Sequence, residues 1–287
     1  MRSIAIMNQK GGVGKTTTAV NLSAALADMG HRVCLMDLDP QAHATLHLGV
    51  EPRDDEPSIY HLLTQDTRAS ETCRQVAENL WLIPSSLDLA AAEVELIEGR
   101  NQDADPVCAR PGTLDPSSFF ILRNKLLADP PPTDYLVVDC PPSLGILTLG
   151  ALGAVGEVLI PLQPHFFALH GLSKLLETIR LAASRLNVNL KLGGVVLCMY
   201  DGGTRLAAEV GRDVEEFFQN ARGQSTPWAD AEIFRTRIRR NIRLAEAPSF
   251  GQSILQYAPD SNGAKDYKSL AAEVARQDRA TARVARP

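Results

Sequence analysis

Short apolar runs alternate along this chain with longer segments in which apolar residues recur every three or four positions. The first run, IAIM at residues 4–7, leads into a glycine-rich turn, NQKGGVGK. Residues 16–29 then place Val20, Ala24 and Ala27 on one side and Leu22, Leu26 and Met29 on another, which predicts a well-buried helix stopped by Gly30. Residues 31–39, HRVCLMDLD, are almost continuously apolar and predict a buried parallel strand that ends in Asp37, Asp39 and Pro40. The alternation continues with helices at 59–63, 87–97, 119–127, 171–186, 204–219 and 263–277. Strands are expected at 80–84, 135–139, 157–161 and 193–199. Such an order predicts an α/β fold, a doubly wound, mostly parallel sheet flanked by helices.

Length and composition narrow this picture. With 287 residues, 45% of them hydrophobic, the chain can bury one large domain, expected over 1–277. Residues 99–117 contain glycine and three prolines without periodicity and are expected to be a loop insert. Arg279, Arg283 and Arg286 make 278–287 a basic tail. No apolar run approaches the ~20 residues of a membrane span, and the chain starts in a strand, so neither a membrane partner, a secretory signal nor a preceding DNA-reading domain is expected. The five cysteines form no C-x-x-C pair, which suits reduced, mostly buried thiols in a cytoplasmic protein. His43 and His47 have no acidic or cysteine partner nearby in sequence and read as surface or packing residues. A net charge of −5 gives no global sign of nucleic-acid binding, so any basic surface must be local.

The first turn carries the clearest chemistry. Gly11, Gly12 and Gly14 lack Cβ atoms, so the backbone amides from Lys10 through Val13 to Thr17 can close around phosphate oxygens. The helix that follows aims its free N–H groups at the same point. Lys15 can reach the terminal phosphates, and Thr16 is placed to ligate a bridging Mg2+. A nucleoside triphosphate site follows. Downstream, YLVVD ends in Asp139, where a carboxylate can hold the metal's water or Thr16. The most basic stretch, 231–243, contains Arg235, Arg237, Arg239, Arg240 and Arg243. If extended, it would put its odd-numbered arginines on one face, as phosphate contacts require.

The strict P-loop asks for glycine at position 9, but Gln9 and then Lys10 stand there. The resulting KGGVGKTT resembles the deviant Walker A motif of the ParA/MinD family of dimeric ATPases. DLDPQAHAT at 37–45 resembles the family's switch segment, and DCPPS at 139–143 and the run from Arg240 to Ser249, RNIRLAEAPS, resemble further family motifs. The resemblance implies that Lys10 crosses a homodimer interface to phosphates bound by the partner, and that Asp39 orients the attacking water. It also implies nucleotide contacts in the loop of Arg239 and Asn241, although Arg239 replaces a usual proline. Nonspecific double-stranded DNA binding would fall to Arg205, Arg235, Arg237, Arg240 and Arg243. Arg205 follows Thr204, where the family often has arginine before that threonine. The implied function is an ATP-dependent, nucleoid-associated switch in chromosome or plasmid partition, whose slow hydrolysis is stimulated by a ParB-like partner. The alternatives are a MinD-like or orphan positioning ATPase for another cargo, or a metabolic relative such as an amidoligase.

Overall fold

Parallel strands must be joined by long crossovers, and here most of the crossovers are helical. The computed structural model describes residues 1–53, 56–98 and 116–284. Its first half runs β1 (Arg2–Ile6), α1 (Lys15–Asp28), β2 (Val33–Asp37), α2 (His43–His47), α3 (Ile59–Thr64), α4 (Ala69–Thr72), β3 (Arg74–Ala77), β4 (Leu80–Ile83) and α5 (Leu89–Glu98). A 3-10 turn (Pro116–Phe120) then opens α6 (Ile121–Ala128), followed by β5 (Tyr135–Asp139), α7 (Ile146–Ala154), β6 (Glu157–Leu162), α8 (Ala168–Arg185) and β7 (Lys191–Tyr200). The last part is α9 (Arg205–Ala221), β8 (Ile233–Arg239), α10 (Ile242–Glu246), a 3-10 turn (Ala247–Phe250), α11 (Ile254–Tyr257) and α12 (Asn262–Val284).

Among the described residues the strands form one sheet in the order β3-β4-β2-β5-β1-β6-β7-β8, and only β3 runs antiparallel. Helices cover both faces, which is the doubly wound arrangement expected. One core lies under α3 and α5 to α9 and contains Met36, Val138 and Leu176. The other lies under α1 and α12 and contains Ile6, Leu22, Leu35 and Leu270.

Several elements escape the periodicity, β3 and α7 among them. The residues of β3, RQVA, are short and mostly half-exposed, so they carry no apolar signal. Those of α7, ILTLGALGA, are buried on nearly all sides, so no polar stripe marks the helix. The final helix also passes the expected domain end at 277 and reaches Val284, so the basic tail begins inside α12. All but the last two residues of the 99–117 insert lie outside the described residues, as does Cys108.

Register positions the chemistry. Ile6 pairs with Asp139, and Asp139 pairs with Asp37, so the carboxyl ends of β1, β5 and β2 form one row beside the glycine-rich turn. Paired residues of parallel strands point to the same face, so both aspartates lie on the side covered by α1. That helix is pinned from the far end of the chain: the Thr18 hydroxyl lies 3.1 Å from the Tyr267 hydroxyl of α12. Arg2 likewise donates to the Val274 carbonyl oxygen at 2.6 Å and ion-pairs with Glu157 at 2.7 Å.

Candidate nucleotide site

The turn between β1 and α1 is held in shape before any ligand arrives. The Asn8 side chain donates to the Pro161 carbonyl oxygen at 2.7 Å and accepts from the Lys10 amide at 3.0 Å. Gly12 and Gly14 take left-handed backbone angles, with φ of 71° and 92°, which most side chains disfavour. Gly14 occupies the N-cap of α1 without a side-chain cap, and the Thr18 amide makes the first helical bond back to it. The amides of Lys15, Thr16 and Thr17 are therefore left for an anion.

Opposite these amides the sheet delivers carboxylates. Lys15, only 7% exposed, donates to the Lys10 carbonyl oxygen at 3.4 Å. Burial lowers its ammonium pKa, against the pull of Asp139 and Asp39. Asp139 is fully buried, and neither of its oxygens has a hydrogen-bond partner among the described residues. Burial above all, and then the neighbouring Asp37, holds its carboxyl well above the usual range; Thr16 and Lys15 act in the opposite sense. Asp37 accepts from both the Thr45 amide, at 2.8 Å, and the Thr45 hydroxyl, at 2.7 Å, yet burial still raises it to about 6. Asp39 accepts from the Gln41 amide at 3.0 Å while its carbonyl oxygen takes the Ser85 hydroxyl at 2.7 Å, which fixes the start of the switch segment.

Gly11, Lys15, Thr16, Asp39 and Ser143 line a cavity of about 600 Å3, with Asp37 and Asp139 buried in the sheet behind it. Glu93 reaches the same cavity from α5, and burial followed by repulsion from Asp39 raises its carboxyl. A second, more apolar cavity of about 520 Å3 is lined by Ile238, Ile242, Leu244 and Tyr267 among others. Gly14, Thr17 and Met199 border both cavities. Met199 has a φ of 50°, unusual for a side chain of its size, where the register between β7 and β8 shifts. A phosphate chamber and an apolar chamber thus meet at the start of α1. The fit to a cation is equally direct: Asp139 has two unpartnered oxygens next to the Thr16 hydroxyl, and hard divalent cations take such ligands.

Among the residues singled out in the sequence, the whole turn, Asp39 and Asp139 come together at this site. Lys10 is exposed at its edge, its ammonium 3.5 Å from the Gln163 side-chain oxygen. Arg239 has both a place beside the nucleotide chambers and an acidic partner. It borders the apolar chamber, but its guanidinium is engaged by Asp266, with a shortest contact of 2.6 Å. Asn241 also borders that chamber, while its side-chain oxygen accepts from the Arg243 amide and caps α10. The shared face expected for the odd-numbered arginines does not form. Arg237 turns to Glu215 of α9 and Arg239 to Asp266 of α12, helices that cover opposite faces of the sheet. His47 is buried, which lowers its pKa to about 4, in keeping with a packing role. Asp37, Asn8, Glu93 and Met199 were not assigned to the site from sequence. Asp37 lay within the switch motif, whereas the other three depend on tertiary placement.

The raised Asp37 carboxyl makes stability pH-dependent. In the absence of ligand its folded form titrates at about 6 against an ordinary 3.8, so between these values the folded chain holds the extra proton. Its contribution is therefore favourable at acid pH and falls as pH rises through this window, by on the order of 3 kcal/mol in total. Urea unfolding from pH 4.5 to 7 should show this decline in the wild type and a flatter profile in Asp37→Asn; identical slopes would contradict the assignment.

Residues 1–192 match a protein family described as an AAA domain. The chain is 43% identical to the sporulation initiation inhibitor protein Soj of Bacillus subtilis, covering 95% of this chain and 97% of that protein. It is 39% identical to the chromosome partitioning protein ParA of Myxococcus xanthus, covering 96% and 89% respectively. Among solved structures, one titled cobyrinic acid a,c-diamide synthase from Mycobacterium smegmatis, with bound ATP analogue and magnesium, superposes with a TM-score of 0.75. It is 31% identical, over 97% of this chain and 96% of that one. The cell division ATPase MinD of Pyrococcus furiosus shares the fold, with a TM-score of 0.72 at 23% identity over 96% of this chain and 99% of that one. With these relatives matched over nearly its full length, the chain belongs to the Soj/ParA family of partitioning ATPases.

Proposed function

We propose that this protein is an ATP-driven dimerisation switch that holds nonspecific DNA in its ATP state and acts in chromosome or plasmid partition. The observation that carries this reading is the joined pair of chambers, with free α1 amides and Lys15 on one side and the unpartnered Asp139 carboxylate on the other. In this reading Gly11 to Thr17 bind the phosphates, and Thr16 with Asp139 holds Mg2+. The metal's contribution is to neutralise charge on the phosphate oxygens. Asp39, fixed by Gln41 and Ser85, orients water for attack. Lys10, exposed at the rim, is free to reach phosphates held by a second copy. A ParB-like protein would stimulate hydrolysis, and the dimer would reside on the nucleoid.

Ion pairing sorts the proposed DNA residues. Arg205 pairs with Glu209, Arg243 with Glu246 and Arg237 with Glu215. Exposed pairs of this kind contribute about 0–1 kcal/mol. Arg205, with its side chain 91% exposed, and Arg243 can exchange their partners for DNA phosphate at little cost. Arg237, at 24%, is more firmly held. Arg235 and Arg240 have no ion-pair partner among the described residues, so they are the foremost candidates.

A second reading, an ATP-using amide-forming enzyme, draws on the similarity to the Mycobacterium smegmatis protein; it uses the same chambers but needs no DNA.

Lys15→Ala should abolish ATP binding in equilibrium titration, and unchanged affinity would remove the site assignment. Asp39→Ala should bind ATP and dimerise while phosphate release falls by at least tenfold; normal turnover would exclude Asp39 from the reaction. On nonspecific duplex, retention should require ATP, be absent with ADP, and weaken steeply between 50 and 200 mM salt, a range chosen because counterion release dominates there. Arg235→Ala and Arg240→Ala should each weaken it more than Arg237→Ala. No retention in any nucleotide state would favour the amide-forming reading.

A further inference from the structure

Two cysteines that the nucleotide chemistry does not use lie against each other. Cys34 sits in the middle of β2 and is fully buried in the core under α3 and α5 to α9. Cys73 caps the C-terminus of α4, is half-buried and packs against the same core. Their sulfur atoms are 3.8 Å apart although the residues are separated by 39 positions in sequence. Bonded sulfurs lie at about 2.0 Å, so closure asks for a sulfur displacement of under ~2 Å.

We propose that Cys34 and Cys73 are a reversible dithiol–disulfide pair, a modification site for peroxide-class oxidants that locks the segment carrying Asp37 and Asp39 into a covalent loop. The two thiols are unequal in a way that assigns their roles. The sulfur–sulfur contact holds the Cys73 thiol below the usual range, against burial, and pushes the Cys34 thiol well above it, with burial adding to the rise. Cys73 is also the more accessible of the two. It is therefore the attacking group.

The Cys73 thiolate attacks one peroxide oxygen: the S–O bond forms, the O–O bond breaks, and hydroxide leaves and takes up the thiol proton as water. The Cys34 sulfur then attacks the Cys73 sulfenic sulfur. The S–S bond forms, the S–O bond breaks, and the departing hydroxide takes the Cys34 proton as a second water. Two thiols are oxidised by two electrons and one peroxide is reduced to two waters. A dithiol reductant reverses the linkage.

The other described cysteines are unsuited to this chemistry. Cys140 and Cys198 are fully buried, and burial pushes the Cys198 thiol up to about 12 and the Cys140 thiol further.

The ring closed by the new bond contains the end of β2, Asp37, Asp39, α2, α3 and α4. It lies at the β3 side of the sheet, whose edge strand β3 runs antiparallel to β4. The link would tie this edge to β2, next to the central strands.

The test uses the full chain treated with hydrogen peroxide, blocked with an alkylating agent, digested without reduction and mapped by mass spectrometry. The expected result is an intramolecular peptide pair joining Cys34 and Cys73, two hydrogens lighter than the free peptides and separated again by dithiothreitol. The oxidised chain should also unfold several degrees higher, since closing a loop of this length restricts the unfolded state. Cys34→Ala should leave a Cys73 sulfenic acid that dimedone traps, whereas Cys73→Ser should leave Cys34 unmodified. The proposal is overturned if both thiols stay free, if Cys73 links instead to Cys108 or to a second molecule, or if the linked chain melts lower than the reduced one. The wild-type map decides the matter even where a variant fails to fold.

Discussion

Burying a carboxylate without a hydrogen bond costs several kcal/mol, and this molecule does so with Asp139 at the centre of its sheet. The register that pairs β1, β5 and β2 leaves no choice, because it sets Asp37 and Asp139 side by side beneath α1. Two such groups cannot both ionise cheaply in a dry site, and Lys15 supplies only one positive charge, itself destabilised by burial. Protons held by the raised carboxyls relieve the imbalance in the ligand-free chain, and a divalent cation with its phosphates would take their place. Free of ligand, the site is preorganised but strained; its stability is deferred to the bound state.

How much of this was legible beforehand follows from the range of each interaction. The phosphate turn is local: its glycines, Lys15 and Thr16 lie within a few residues, and the flanking strand and helix are set by short-range periodicity. The position of Asp139 at the end of β5 was legible because a buried strand ending in a carboxylate leaves a simple pattern. The pairing of Asp139 with Asp37 is a matter of register between strands a hundred positions apart, and no periodicity encodes it. Helix α7 was hidden because it is buried all round, and β3 because it is barely apolar at all. The arginines show a third kind of failure. Alternation along β8 does not say which helix a long guanidinium reaches, and Arg237 and Arg239 find acidic partners on α9 and α12, over opposite faces.

These two ion pairs change the electrostatics of the basic segment. A row of like charges on one face would repel and remain free for an external polyanion. Split between two faces, Arg237 and Arg239 instead tie β8 to α9 and α12, and fasten an edge strand that would otherwise present open backbone groups. Part of the positive charge in this stretch is thus structural, and a count of arginines overstates what is available to a ligand.

The contact between Thr18 and Tyr267 has a consequence for the order in which the protein comes into being on the ribosome. The phosphate turn is among the first segments synthesised, but α1 is backed by α12, and the apolar chamber is walled by β8, α10 and Tyr267. A nascent chain that has emerged only as far as β7 possesses the glycine turn and the aspartates without β8, α10 and Tyr267, which wall the apolar chamber. The chamber beside the glycine turn is thereby closed only late in synthesis, through contacts that span most of the chain, the kind that chain topology makes slow to form.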